Sequence, residues 1–178
     1  MMKQDIDISE ASVYVGTYEK YNNGSLYGQW LDLSDYSDVS EFYEACAKLH
    51  EDEKDPEFMF QDYENIPEGL INECFISEKF FELRDAVTSF DSDHLEAFLI
   101  WCGNNHSVLA SADIDQLISD FEQQYVGKYK SEEDFAIEVV EQRNDLSDFA
   151  LQYFDYESYA NELFHSDYWF SEGHVFLH

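Results

Sequence analysis

A formal net charge of −31 on 178 residues sets the terms for anything this chain can fold into. Forty Asp and Glu face nine Lys and Arg, and like charge in this excess pushes a compact state apart. A net charge of about 2–8 keeps a small domain soluble, so solubility does not account for the surplus. Yet 44% of the residues are hydrophobic and 17% aromatic, whereas disordered acidic segments are poor in aromatics. The chain is long enough to bury a core. Its charge excludes docking on nucleic acid or on an anionic membrane through a basic face.

The charge is spread along the chain rather than held in a tail. Residues 1–60 carry net −10, residues 61–110 net −8 and residues 111–178 net −13. No Lys or Arg occurs from Asp85 to Gly127, or from Asn144 to His178. The N-terminus lacks the apolar stretch of a signal peptide, and no run approaches the length of a membrane span, so a cytoplasmic protein is expected. Cys46, Cys74 and Cys102 form an odd, dispersed set and read as buried, reduced thiols.

Patterning divides the chain into strands and helices. Residues 13–18 and 58–63 read as strands, and 26–33 as a further strand that Gly28 weakens. Asp38 opens a helix with Val39, Phe42, Cys46 and Leu49 on one face. Ser77 opens another carrying Phe80, Leu83, Val87 and Phe90. Helical spacing continues over about 93–102 and from Asp113 through Phe121. Tyr125 to Tyr129 reads as a strand, 131–143 and 157–164 as helices, and 168–177 as a hairpin broken at Gly173. Tyr14-Val15-Gly16-Thr17-Tyr18 recurs as Tyr125-Val126-Gly127-Lys128-Tyr129, and Phe60-Gln61-Asp62-Tyr63-Glu64 resembles Phe154-Asp155-Tyr156-Glu157. Either the two ends are related α/β modules, or these are coincidences in a chain rich in such residues. A different strand–helix order at the two ends excludes the first.

Catalytic patterns are absent from the sequence. It holds no nucleophile elbow, P-loop or Rossmann glycine pattern. Asp91-Ser92-Asp93-His94-Leu95 and Asp113-Ile114-Asp115 begin like calcium loops and fail at later positions. The six His form no metal-binding spacing, and His174 and His178 read as surface residues rather than ligands. Pairs of carboxylates are guaranteed by abundance. No enzyme activity, cofactor or metal is expected.

The acidic residues fall in stripes. At 100° per residue, Asp134, Glu138 and Glu141 cluster opposite Phe135, Ala136, Val139 and Val140. Glu78, Glu82 and Asp85 stand opposite Leu83 and Val87. Glu41, Glu44 and Glu51 share the polar face of the helix after Asp38. An acidic face is commonly just a solvated one, but such a helix usually pairs Glu with Lys four residues on. Here that partner is mostly missing, and each like-charge pair costs about 0.2–0.5 kcal/mol. A surface whose role is to be negative fits this pattern. DNA carries one charge per about 1.7 Å of its axis, so the charge of two such chains corresponds to roughly 105 Å of duplex.

The residues also resemble a known family, the ArdA antirestriction proteins. The likeness runs through Tyr14-Val15-Gly16-Thr17-Tyr18, Lys20-Tyr21-Asn22-Asn23-Gly24-Ser25-Leu26-Tyr27-Gly28 and Trp30-Leu31-Asp32-Leu33. It continues in Phe58-Met59-Phe60-Gln61-Asp62-Tyr63-Glu64-Asn65-Ile66-Pro67. It ends with Tyr153-Phe154-Asp155-Tyr156-Glu157, Ala160 and Glu162-Leu163-Phe164. The resemblance implies an α+β fold of three small domains in a row, α/β, helical and α/β. They are placed at 12–66, 67–110 and 111–178, after an N-terminal tail, 1–11. It implies an elongated, curved, DNA-like homodimer joined through the C-terminal domains. The implied partner is a type I restriction–modification enzyme, whose DNA-binding groove the dimer would occupy, and the implied setting is a mobile genetic element. No nucleic acid or membrane partner is expected.

Carboxylates would stand in for phosphates: Asp32, Asp35, Asp38, Glu41, Glu44, Glu51, Glu78, Glu82, Asp85, Asp115, Glu122, Asp134, Glu138, Glu141 and Asp145. The family's antirestriction motif and dimer interface are placed over about 146–163, with Leu146, Tyr153, Phe154, Asp155, Tyr156 and Glu157. One rival is an acidic binder of some other basic DNA-binding protein. A second is a small hydrolase, which needs a concave pocket with convergent groups. A third is plain adaptation to high salt, which predicts collapse at low salt.

Overall fold

The computed structural model describes residues 6–178, and the chain divides into two compact units, Met1–Leu117 and Ile118–His178. The first is built on a three-stranded antiparallel sheet. Strand β1 (Ser12–Thr17) lies between β2 (Gln29–Asp32) and β3 (Phe58–Glu64). Alternation buries Val13, Val15 and Thr17 on one face. Helix α2 (Val39–Leu49) covers that side, with the Phe42 ring 5.7 Å from Phe60 and the Tyr43 ring 6.1 Å from Phe58. Asp38 caps α2 by accepting from Glu41 N, and the Glu41 side chain reaches back to accept from Ser37 N, one residue before the cap, a near relative of the capping box.

Three local features differ from the sequence reading. β1 stops at Thr17, whose hydroxyl accepts from Lys20 N and starts a short helix, α1 (Tyr18–Asn22). β2 begins only at Gln29, and Leu26 is exposed. Gly28 does not weaken a strand but permits a close approach: a Cβ there would fall on Val15 O and within 2.8 Å of the Tyr14 ring. A bulge in β3 makes Gln61 an extra residue, since Tyr14 pairs with Asp62 but Val15 with Phe60.

A two-stranded hairpin, β4 (Ile71–Asn72) and β5 (Phe75–Ile76), leads to α3 (Glu78–Ala86) and α4 (Ser92–Asn104), capped by Ser77 and Asp91. Phe80, Leu83, Leu95, Phe98 and Trp101 are buried here. Arg84 of α3 donates to Leu33 O and Tyr36 O, both at 2.8 Å, and to Ser37 O at 3.3 Å. That guanidinium ties 67–110 to 12–66 within one unit. Of the expected tail, residues 1–5 lie outside the described residues, while Ile8 and Ala11 are buried.

Helix α5 (Ile114–Gln124) leads into the second unit. There β8 (His174–Leu177) is central, with β6 (Tyr125–Lys128) and β7 (Tyr168–Ser171) on its flanks. Glu172 and Gly173, both at positive φ, make the tight turn of the expected β7–β8 hairpin. Between β6 and β7 run α6 (Glu132–Glu141), α7 (Asp148–Gln152) and α8 (Tyr156–Ser166). Phe135, Ala136, Ala160, Leu163 and Val175 form the core.

The chain is therefore mixed α+β, but its ends are not copies. The first sheet is assembled in the order β-α-β-α-β and the second as β-α-α-α-β-β. The strand carrying Tyr-Val-Gly is central in the first and at the edge in the second. Two further corrections concern burial. His174 is fully buried, with the Tyr125 hydroxyl 3.0 Å from its Nδ1. Cys46 and Cys102 are buried as expected, and burial pushes both thiols up to about 12, but Cys74 is exposed.

Two glycines give opposite expectations. Gly28→Ala should lower stability by about 1–3 kcal/mol, because backbone blocks the new methyl group. Gly103→Ala, in helix α4 with open space around it, should raise stability by about 0.5–1 kcal/mol. Urea unfolding of both variants checks the pair.

Candidate functional site

The surplus charge is on the surface. Every carboxylate named above as a phosphate stand-in is exposed, whereas the Glu53 side chain is only 7% exposed. They are not equivalent. Some hold local structure: Asp38 caps α2, Glu41 accepts from Ser37 N just before it, and Asp32 accepts from Ser34 N at 2.9 Å. Others are neutralised. Glu82 pairs with Lys79 at 2.6 Å, Asp85 with Arg84 at 2.8 Å and Asp145 with Arg143 at 2.7 Å. The α3 stripe is thus largely paired, contrary to the sequence reading. Arg143, hydrogen-bonded to Asp145, holds that carboxyl below its usual range. Glu51 lies beyond α2, past its C-cap His50, and so is not on the helical face expected of it.

Helix α6 is the clearest negative surface. Phe135, Ala136 and Val140 are buried while Glu133, Asp134, Glu138 and Glu141 are exposed. Among the described residues none of these four forms an ion pair. Ser131 caps the helix by accepting from Asp134 N at 3.1 Å. Three acids in its first turn meet the positive end of the helix dipole. Glu138 accepts from Gln142 at 3.2 Å and, more weakly, from the Tyr129 hydroxyl at 3.4 Å. Burial and then the Glu138 charge raise the Tyr129 phenol above its ordinary value. Asp35, Glu44, Glu78, Asp115 and Glu122 complete the exposed set.

One group of residues resembles a metal site but holds its own cation. His50, Asp52 and Glu53 bring ligand atoms within 4.8 Å of one another. The Lys20 ammonium lies among them, 3.1 Å from His50 Nδ1, 3.0 Å from Asp52 and 2.5 Å from Glu53. His50 Nε2 lies 3.2 Å from Val15 O, so Nε2 is the donor there and Nδ1 accepts from lysine. The geometry is that of a buried counter-ion clamp joining α1 to the end of α2.

The stretch expected to hold the antirestriction motif has a different character. Asp155 caps α8 by accepting from Ser158 N at 3.0 Å, and Glu157 is exposed. Phe154 is half-buried, its ring 5.0 Å from Tyr156 and 5.5 Å from Tyr159; Leu146 is half-buried as well. Tyr153 is 70% exposed and packs at 5.1 Å on Phe149, which is 73% exposed. Phe149 was not singled out from sequence. The signal was present: after the cap Ser147, Phe149 and Tyr153 are four residues apart on one helical face.

A family model described as antirestriction protein (ArdA) matches residues 13–176. The chain belongs to the ArdA family of antirestriction proteins. The match starts in β1 and ends in β8, so it takes in strands of all three sheets of this ArdA chain and helices α1 to α8. Comparison with curated proteins gives no match. No helix among the described residues is long and apolar enough to cross a membrane.

The lysine clamp makes stability depend on pH. Burial pushes the Glu53 carboxyl up, but hydrogen bonds from Lys20 and Thr17 outweigh it and leave the group below its ordinary 4.5. A carboxyl depressed in the folded state contributes stability above its unfolded value and loses it as pH falls through the folded one. Lys20→Met strands Glu53, whose side chain is only 7% exposed. The variant should melt well below the wild type at pH 7, with the gap closing as pH drops below about 4.5. Melting curves from pH 3 to 7 check this; a gap independent of pH contradicts the clamp.

Proposed function

We propose that this ArdA chain inhibits type I restriction–modification enzymes by occupying their DNA-binding groove as a protein copy of DNA. The single observation that carries the reading is the outward, unneutralised acid stripe of α6 over a buried aromatic core. A groove that grips DNA with Lys and Arg meets carboxylates one helical turn apart, about 5.4 Å along the axis. Each partner enters with its counterions, and their release favours the complex strongly at low salt and weakly at high salt. A core rich in packed rings keeps the surface rigid, so little ordering opposes binding.

The reading includes a curved homodimer of α/β, helical and α/β parts, joined near residues 146–163 and acting in the cytoplasm on behalf of a mobile element. The exposed Phe149–Tyr153 pair supports a subunit contact, since large exposed rings at adjoining positions favour burial. Replacing both by Ser should leave the fold intact. It should reduce the sedimenting mass from about twice 21.0 kDa to 21.0 kDa.

Contacts spread over a long surface are individually weak. Glu141→Gln alone should change inhibition of cleavage by less than about twofold, the size of one exposed charge contact. Neutralising Asp35, Glu44, Glu51 and Glu141 together should weaken it at least tenfold. It should also flatten the dependence of log affinity on log salt. A cleavage assay over a range of inhibitor and salt concentrations reads both. Loss of inhibition from the single change contradicts a distributed copy of DNA.

A further inference from the structure

The acid stripes do not account for the rings left on the outer side of the first sheet. Val13 and Val15 are buried on its inner face, so Ser12 and Tyr14 stand on the other. Residues directly opposite one another in neighbouring strands share a face. Tyr14 is opposite Trp30 of β2 and Asp62 of β3; Ser12 is opposite Asp32 and Glu64. Two rows therefore cross the outer face, Trp30–Tyr14–Asp62 and Asp32–Ser12–Glu64. Asp32, Asp62 and Glu64 are exposed, and Trp30 is 45% exposed. The Tyr14 and Trp30 rings meet edge to face at 5.6 Å, and the Tyr14 hydroxyl donates to Leu26 O at 3.0 Å. The rings are thus fixed in place: Tyr14 stands one strand spacing, about 4.8 Å, from Asp62, and Trp30 lies two residues along β2 from Asp32 on the same face.

A surface that copies phosphates needs charge alone. This one offers a tryptophan face and carboxylates within the reach of one side chain. Tryptophan is the best aromatic partner for a cation. Guanidinium is planar and weakly hydrated, stacks on rings and takes carboxylate in a fork, whereas ammonium is a strongly hydrated point charge. We propose that the outer face of the β1–β2–β3 sheet is a docking surface for arginine side chains of a basic protein partner. Trp30 is the stacking platform, and Asp32, Asp62 and Glu64 are the acceptors. This rests on the acidic surface being the binding surface. It adds a preference for arginine over lysine that charge cannot supply.

The test is an NMR titration of the full chain with octa-arginine and octa-lysine peptides at matched, moderate salt. Trp30, Trp101 and Trp169 are the three tryptophans, so each indole N–H is a separate reporter; Trp101 is buried and Trp169 is stacked on Phe176. Octa-arginine should move the Trp30 indole and backbone signals of 12–17, 29–32 and 58–64, and bind about 2–5-fold more tightly than octa-lysine. Trp30→Leu should remove the stacking share of that preference, leaving a smaller ratio set by the carboxylates, with octa-lysine affinity unchanged. Its fold is verified by unshifted Trp101 and Trp169 indoles. The double change Asp62→Asn with Glu64→Gln should weaken octa-arginine binding with the Trp30 indole in place. Equal affinities in the wild type, a preference undiminished by Trp30→Leu, or a silent Trp30 indole overturns the proposal. No restriction enzyme or DNA enters the titration, so its outcome is separate from that of the mimicry reading.

Discussion

Positive charge is the scarce component of this protein, and its placement governs the rest. Lys20 is sunk among His50, Asp52 and Glu53, where it joins α1 to the end of α2. Arg84 spends its guanidinium on three backbone carbonyls of the segment 33–37 and on Asp85. Both cations close long-range contacts that would otherwise leave buried polar groups without partners, which is costly. Used in this way, they do little to cancel the carboxylates elsewhere on the surface.

Holding such a surface together requires a core that does not depend on ion pairs. Rings supply it. Phe42, Phe58, Phe60 and Tyr43 pack between α2 and the first sheet, and Phe135, Phe164, Tyr168 and Tyr129 pack in the second unit. Aromatic side chains bury large areas and add directional contacts. Hydrophobic burial is insensitive to the sign of surface charge, so a ring-rich core can oppose self-repulsion while the exterior stays negative. The abundance of Phe and Tyr beside an excess of acid thus has one physical cause.

Much of this was legible from residue order. The helices after Asp38 and Ser131 have a cap, a periodic apolar face and enough length for the period to show, and the structure has them at Val39–Leu49 and Glu132–Glu141. The five-residue helices α1 and α7 are too short for a period, so the exposed Phe149–Tyr153 pair was missed. Contacts between distant segments leave no local trace. Lys20 meets a histidine thirty residues on, and Arg84 reaches back to residue 33. The repeated Tyr-Val-Gly misled because a pentapeptide does not specify which strands lie beside it. The α3 stripe looked unpaired because the usual Glu-to-Lys spacing was sought; its partners are Lys79, three residues before Glu82, and Arg84, next to Asp85.

The central claim is that this ArdA chain and DNA compete for one basic groove. The direct measurement follows fluorescent duplex DNA bound to a type I restriction–modification enzyme while the protein is added at several salt concentrations. Complete displacement is expected at low and moderate salt, with an apparent affinity that falls linearly in log–log form as salt rises. DNA that stays bound at saturating protein and moderate salt, or displacement indifferent to salt, would contradict the account.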